Sequence, residues 1–403
     1  MNIEANLKRY REELGHELRS ILGYWMKYAP DIENGGFVGR IDSLDLIDSN
    51  APKGAVLNAR ILWSFSAAYK MDQCVEYREN AQRAYDYLSR FFFDEEFGGV
   101  YWTVDHLGQP LETRKQVYAI AFVIYALSEY YTVSWDGKVK EMAKSLYRNL
   151  VEYTFDQEQG GYFEAFSRNW DPIDDLRLSE KDANEKKSMN THLHVIESYT
   201  NLYRIWPDEE LKQHIIQLLD NFLNHILNRE DYHLILFHDE MWNKKSDTIS
   251  YGHDIEASWL LAEAAEVINN EFYKRTFEDV ALKMAAASEE GLDHDGGLWY
   301  EYDMDIAHLV KEKHWWVQAE AMVGFFNAWE INGDEAFLER SFEAWEFVKK
   351  HIIDRQNGEW FWGVDETGKV MPGEDKAGLW KCPYHNSRAC MEIIRRIANQ
   401  RRK

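Results

Sequence analysis

A turn that keeps returning constrains this chain more than any other feature. The segment DIENGGFVGRID (Asp31 to Asp42) reappears as DEEFGGVYWTVD from Asp94, DQEQGGYFEAF from Asp156, HDGGLWYEYD from His294 and DRQNGEWFWGVD from Asp354. The leading glycines Gly35, Gly98, Gly160, Gly296 and Gly358 are separated by 63, 62, 136 and 62 residues. The long gap is twice 68, and DYHLILFHDEMW (Asp231 to Trp242) fills it as a copy without glycines. Six units of 62 to 68 residues result, and self-similarity at a fixed period dictates architecture.

Each unit has room for two helices. The spacing of apolar residues predicts pairs at 2–28 with 52–71, 75–92 with 112–131, 136–155 with 188–205, 208–228 with 252–269, 270–290 with 312–331, and 334–351 with 383–401. Ala81, Ala84, Tyr85, Leu88 and Phe91 illustrate the helical step. Alternating aromatic runs beside the glycines, such as VYWTV, read as short β-hairpins. Six helical hairpins bury their apolar faces by closing into a ring. The expected fold is an all-α (α/α)6 barrel, residues 1–403 forming one domain, with odd helices outside and even helices inside. The hairpin loops then crowd the mouth at which the inner helices begin.

Charge and cysteine usage narrow the function classes. The 46 basic and 70 acidic side chains leave a formal net charge of −24, which argues against nucleic acid and anionic membranes as partners. Cys74, Cys382 and Cys390 make no disulfide framework, and the charged, amphipathic start MNIEANLKRYREEL is no signal peptide, so a cytoplasmic location is expected. No uninterrupted apolar run of 18 residues or more occurs, so no membrane span is expected. Aromatic residues make up 15% of the chain, and those near the mouth suit the apolar faces of sugar rings.

Reactive side chains gather where the even helices begin: Arg60, Tyr118, Asn190, His192, His194, His253, Glu256, His314, Trp315, Trp316, Glu320, Trp380, His385 and Arg388. Asn190 and His194 share a helix face, whereas His192 lies about 200° away. No HExxH or CxxC supports a metal, and no GxSxG elbow supports a serine hydrolase. Glu256, Glu320 and Asp182 are enough carboxylates for a glycoside hydrolase, a reading that leaves the histidines unused. Imidazoles near helix N-termini are favoured as neutral bases, and two of them on opposite sides of one carbon suit stereochemical inversion.

The segments KSMNTHLHVIESYTNLYR, GHDIEASWLL, KHWWVQAEAMVGF and WKCPYHNSR resemble the active-site signatures of the N-acylglucosamine 2-epimerase superfamily, and within it the cellobiose 2-epimerases. The resemblance spans essentially the whole chain and implies the same barrel. It implies a cofactor-free, metal-free 2-epimerase acting on a β-1,4-linked disaccharide, as a monomer or weak homodimer. It further implies His385 and His253 as the acid/base pair at C2, and His194 as the group assisting ring opening. Arg60, Tyr118 and Asn190 would hold the open chain and its enediolate, Glu256 would orient His253 or hold its imidazolium, Asp182 would contact sugar hydroxyls, and Trp316 and Trp380 would stack on the disaccharide. An N-acylglucosamine epimerase, an aldose–ketose isomerase, an (α/α)6 glycoside hydrolase and a sugar-binding protein remain alternatives.

Overall fold

Two kinds of helix alternate along the chain, and their burial decides which ring each joins. In α1 (Ile3–Tyr28) the buried residues Leu7, Tyr10, Leu14, Leu18, Ile21 and Trp25 form one stripe, so only one side needs covering. The other odd helices, α3 (Val75–Phe91), α5 (Gly137–Tyr153), α7 (Glu209–Asn221), α9 (Glu271–Ser288) and α11 (Glu335–Phe347), follow the same pattern. The even helices are α2 (Ala55–Asp72), α4 (Val117–Ser134), α6 (Met189–Ile205), α8 (Tyr251–Val267), α10 (Trp315–Asn332) and α12 (Tyr384–Gln400). In α4 every residue from Val117 to Tyr130 is buried. By length and composition α4 is apolar enough to cross a membrane, yet 78% of it is buried inside the protein. A helix apolar on all sides has to be enclosed, which places the even helices inside.

This computed structural model describes residues 2–400, so the helix end read at Arg401 lies outside the described residues. Each even helix packs on the next, and α12 returns onto α2, closing the inner ring of an (α/α)6 toroid. Links from even to odd helices are as short as Gln73–Cys74, whereas every odd-to-even link is long. All long links therefore lie at one end, around the N-termini of the inner helices.

The hairpin expectation holds in part. Local hairpins exist, such as Glu301–Asp303 with His308–Val310. The stubs before five of the inner helices, however, pair with the following repeat: Lys53–Gly54 with Thr103–Val104, Lys115–Gln116 with Ala165–Phe166, Lys187–Ser188 with Phe237–His238, Thr248–Ser250 with Glu301–Asp303, and Lys313–His314 with Gly363–Val364. An Ile41–Ala377 bridge joins the first repeat to the sixth. Because these stubs are held extended, α4 begins at Val117 and α10 at Trp315, several residues later than the apolar periodicity implies.

The turn itself recurs in all six repeats, the glycine-free copy included. Leu227 bridges Leu234 just as Pro30 bridges Phe37 and Phe155 bridges Tyr162. Tyr232 takes the left-handed conformation (φ 65°) that Gly35, Gly98 and Gly160 take elsewhere (φ 81°, 75° and 72°). For a non-glycine residue this costs on the order of 1 kcal/mol.

An ion pair, invisible to the helix pattern, ties five of the six turns to the segment before the inner helix. Lys53, Lys115, Lys187 and Lys313 each stand two residues before an inner helix, and each meets the turn aspartate (Asp31, Asp94, Asp156 and Asp293) at 2.6–2.8 Å. In the sixth repeat Lys381 meets Glu359 and Lys376 meets Asp354. The fourth repeat has Asn228 and Ile249 at these two places, so both charges are missing together. A lone buried charge is what the fold avoids.

Candidate active site

Six residues at one helical step, one from each inner helix, meet at the centre of the ring. Counting from the start of each inner helix, the sixth residue is Arg60, Phe122, His194, Glu256 and Glu320 in α2 to α10. In α12, which begins one residue late, the equivalent is Arg388. One turn nearer the mouth, His253 on α8 and His385 on α12 occupy equivalent places two repeats apart. Trp316 of α10 stands between them, its ring centroid 4.7 Å from that of His253 and 5.7 Å from that of His385. Gly252 makes room for this approach, since a Cβ there would lie 2.6 Å from the Trp316 ring.

Each imidazole is aimed by a partner on its Nδ1. His385 Nδ1 is 2.7 Å from Glu320 Oε1, His194 Nδ1 is 2.8 Å from Glu197 Oε2, and His253 Nδ1 is 2.8 Å from Ser250 Oγ. A carboxylate can only accept, so His385 and His194 carry their proton on Nδ1 and leave Nε2 free. Burial pushes His253 and His385 down to about 3 and lowers His194, so all three are neutral near pH 7.

Arg388 is the centre of the buried network. Its Nη2 donates to Glu256 Oε1 at 2.6 Å and to Glu320 Oε1 at 2.7 Å, and its Nη1 donates to Glu197 and to the Tyr384 hydroxyl. Trp259 Nε1 donates to the remaining oxygen of Glu320 at 3.0 Å. Burial raises the Glu256 carboxyl, and the neighbouring Glu320 charge raises it further. Burial acts on Glu320 too, but the guanidinium and the His385 bond outweigh it and hold Glu320 ionised. The expectation that Glu256 orients His253 is therefore corrected: Glu256 is turned to Arg388, and His253 rests on Ser250. Glu256, Glu320 and His385 are also the one group among the described residues with donor atoms close enough for a metal, within 4.8 Å of one another. Both carboxylates are already bonded to Arg388 Nη2, so a dication would have to displace a guanidinium.

The remaining wall is aromatic and cationic. Arg60 Nη2 donates to the Tyr118 hydroxyl at 2.8 Å, and its guanidinium lies 4.1 Å from the Phe122 ring centroid. Tyr118 stands edge-on to His194 at 5.0 Å and to Trp380 at 5.9 Å, and Trp380 packs on Trp102 at 5.8 Å. Arg60 Nε and Asn190 Oδ1 are buried without a protein partner.

The family profile described as N-acylglucosamine 2-epimerase (GlcNAc 2-epimerase) matches residues 35–389. The chain belongs to the N-acylglucosamine 2-epimerase family. A cellobiose 2-epimerase of Bacteroides fragilis is 48% identical over 95% of this chain and 98% of its own, and one of Ruminococcus albus is 40% identical over 95% and 98%. The solved cellobiose 2-epimerase of Bacillus thermoamylovorans superposes with a TM-score of 0.90 at 41% identity, covering 98% of this chain and 100% of that one. This family member is a carbohydrate epimerase, an enzyme of the isomerase class.

Most residues singled out from sequence converge in the epimerase. His194, His253, His385, Arg60, Tyr118, Asn190, Glu256, Trp316 and Trp380 all belong to inner-helix starts or to the segment leading into α12. Asp182 sits in the loop before α6, where it accepts from Ser179 N at 2.8 Å, and burial raises its carboxyl. His314 is drawn aside: its ring stacks on Tyr300 at 4.0 Å and its Nε2 meets Glu312 at 2.8 Å. Glu197, Ser250, Trp259 and Tyr384 were not found from sequence. Aligning inner helices residue by residue would have exposed Trp259 and Glu197, which lie one turn below Glu256 and His194.

His192 has a structural job. It is the fourth residue of α6; the fourth residues of α8 and α10, Asp254 and Gln318, accept from the turn amides of Leu234 and Leu298 at 2.8 Å. His192 Nε2 accepts likewise from Tyr162 N at 2.9 Å, while Nδ1 donates to Ser188 O at 2.7 Å. Burial lowers its pKa to about 3. The unfolded chain, with a histidine pKa of about 6.5, binds this proton first, so stability is lost as pH falls below 6.5 towards 3. His192→Gln copies Gln318 and should shrink the difference in unfolding free energy between pH 7 and pH 5 by about 2 kcal/mol, as measured by urea titration. An unchanged difference would refute the assignment.

Proposed function

We propose that this epimerase inverts C2 of the reducing-end sugar of β-1,4-linked disaccharides such as cellobiose, without a cofactor. The observation that carries the reading is the placement of two neutral imidazoles at equivalent helix positions on either side of Trp316. The similarity to enzymes named cellobiose 2-epimerase supports the substrate class.

His194, its Nδ1 held by Glu197, assists ring opening through its free Nε2. One of His253 and His385 then takes the C2 proton of the open-chain aldehyde, and the electron pair moves onto the carbonyl oxygen as a cis-enediolate. Arg60 supplies fixed positive charge for that oxygen, with Tyr118 and Asn190 holding it. Rotation about C2–C3 presents the opposite face, and the other imidazole delivers a proton to C2. In the bound complex the imidazole that delivers starts protonated on Nε2 and the one that accepts starts neutral, so the pair holds one proton before the C2 chemistry and one after it. The charge developing on the enediolate offsets the desolvation that keeps both neutral in the open pocket. Protonation at C1 instead yields a ketose, a side reaction. Trp316 and Trp380 offer stacking faces for the sugar rings, and Asp182 a hydroxyl acceptor at the rim.

The hydrolase alternative needs two carboxylates about 5 Å or more apart across a scissile bond. Glu256 and Glu320 instead converge on one nitrogen of Arg388. Three free cysteines, two of them buried, support a cytoplasmic setting.

Incubation with cellobiose in D2O containing EDTA tests the proposal. The expected result, followed by NMR, is deuterium at C2 together with a mannosyl product, at the same rate with and without the chelator. Free glucose would point to hydrolysis, an unchanged sugar to binding alone, and loss of activity with EDTA to a metal; each would overturn the reading.

A further inference from the structure

Among the polar groups of the site to which the proposed chemistry assigns no step, Arg388 has the most connections. Three carboxylates from three different inner helices end on it: Glu197 of α6, Glu256 of α8 and Glu320 of α10. Two of those carboxylates also contact a histidine of the site, Glu197 on His194 at 2.8 Å and Glu320 on His385 at 2.7 Å. The Tyr384 hydroxyl closes the set by donating to Glu197 while accepting from Arg388. All five side chains are buried.

Resting on the 2-epimerase reading, we propose that Arg388 is a positioning residue that aims His194 and His385 together, through Glu197 and Glu320. Ring opening and proton transfer at C2 are thereby set by a single guanidinium. The geometry suits arginine alone. One planar fork offers Nη1 to the Glu197 side and Nη2 to the Glu256 and Glu320 side, with fixed directions between them. A lysine offers one point charge from which the same two directions are not both available. The stoichiometry also matters: three carboxylates face one cation in a dry cavity, so withdrawing that cation leaves buried like charges to separate or to take up protons. Either response changes the acceptor on which each imidazole Nδ1 depends.

The test separates the two chemical steps. Ring opening is read as enzyme-catalysed mutarotation of cellobiose by polarimetry, and the C2 step as deuterium incorporation in D2O. Arg388→Lys should slow both by at least tenfold, with an unchanged circular dichroism spectrum. Glu320→Gln should slow the C2 step at least tenfold more than it slows mutarotation. The acid limb of kcat/KM in Arg388→Lys should also move relative to wild type, which a loss of packing alone would not cause. If Arg388→Lys retains both rates within threefold, or slows only one of them, the proposal fails.

Should Arg388→Lys not fold, a cycle of Glu197→Gln, Glu320→Gln and the double variant decides. The two glutamates share Arg388 as their common partner, so their effects on C2 exchange should be non-additive by about fivefold or more. Strict additivity would overturn the proposal. A wild-type enzyme without C2 exchange would instead sink the epimerase reading on which the proposal rests.

Discussion

His385→Asn and His253→Asn are each expected to lose at least about 10²-fold in C2 inversion of cellobiose while remaining folded, the usual scale for a general acid/base group. Asparagine retains a polar amide near the Nδ1 position, so the contacts to Glu320 or Ser250 have a substitute and the cavity is not emptied. What disappears is Nε2, the nitrogen that the Nδ1 contacts leave free to work. A two-base site makes a sharper forecast than general loss. With one imidazole gone, the other still reaches its own face of C2, so deuterium should enter one epimer without inversion. The two variants should label opposite epimers, one the glucose end and the other the mannose end. This pattern also assigns each histidine to its face. A variant that inverts C2 within tenfold of wild type would remove that histidine from the mechanism.

The second large effect concerns the ion pairs under the turns. Lys187→Met should destabilise the fold by about 3–5 kcal/mol, because Asp156 would be left as a buried charge without its cation. Lys187 is buried, meets Asp156 at 2.7 Å, and also donates to the carbonyls of Gly160 and Glu240 at 2.8 and 2.9 Å. The double replacement Lys187→Ile with Asp156→Asn should recover most of the loss, since it reproduces Ile249 and Asn228 of the fourth repeat. Unfolding free energies from denaturant titration measure both. A single variant no less stable than wild type would mean that the pair contributes specificity and not stability.

Periodicity made the architecture legible. The glycine turns set a six-fold rhythm, and the choice between inner and outer helices follows from apolar residues on one side, as in α1, or on every side, as in α4. Even the glycine-free copy was found, because spacing survives where composition does not; Tyr232 keeps the backbone conformation at some cost. Much of the cavity was legible for the same reason. Polar residues at the first two turns of apolar helices stand out, and ring closure brings such positions together whatever their identity.

The partners of those residues were not legible. Glu256 lies three residues from His253 and would be assigned to it by helical adjacency, yet it turns to an arginine 132 positions away. Adjacency along a helix offers only a modest gain, whereas a carboxylate in a dry cavity must find a cation. Helical spacing sets His192 about 200° from His194, but the amide that it holds, Tyr162 N, is named only by the structure.

The sequence by itself determined the number of repeats, the ring, and the end of the ring at which chemistry gathers, because these depend on spacing and on which side of a helix is apolar. Tertiary structure decided which charge meets which: Arg388 with Glu197, Glu256 and Glu320, each turn aspartate with its lysine, and each stub with the strand of the next repeat. Those pairings join residues distant in the chain, and their selection depends on the burial that desolvates them, which exists only once the ring has closed.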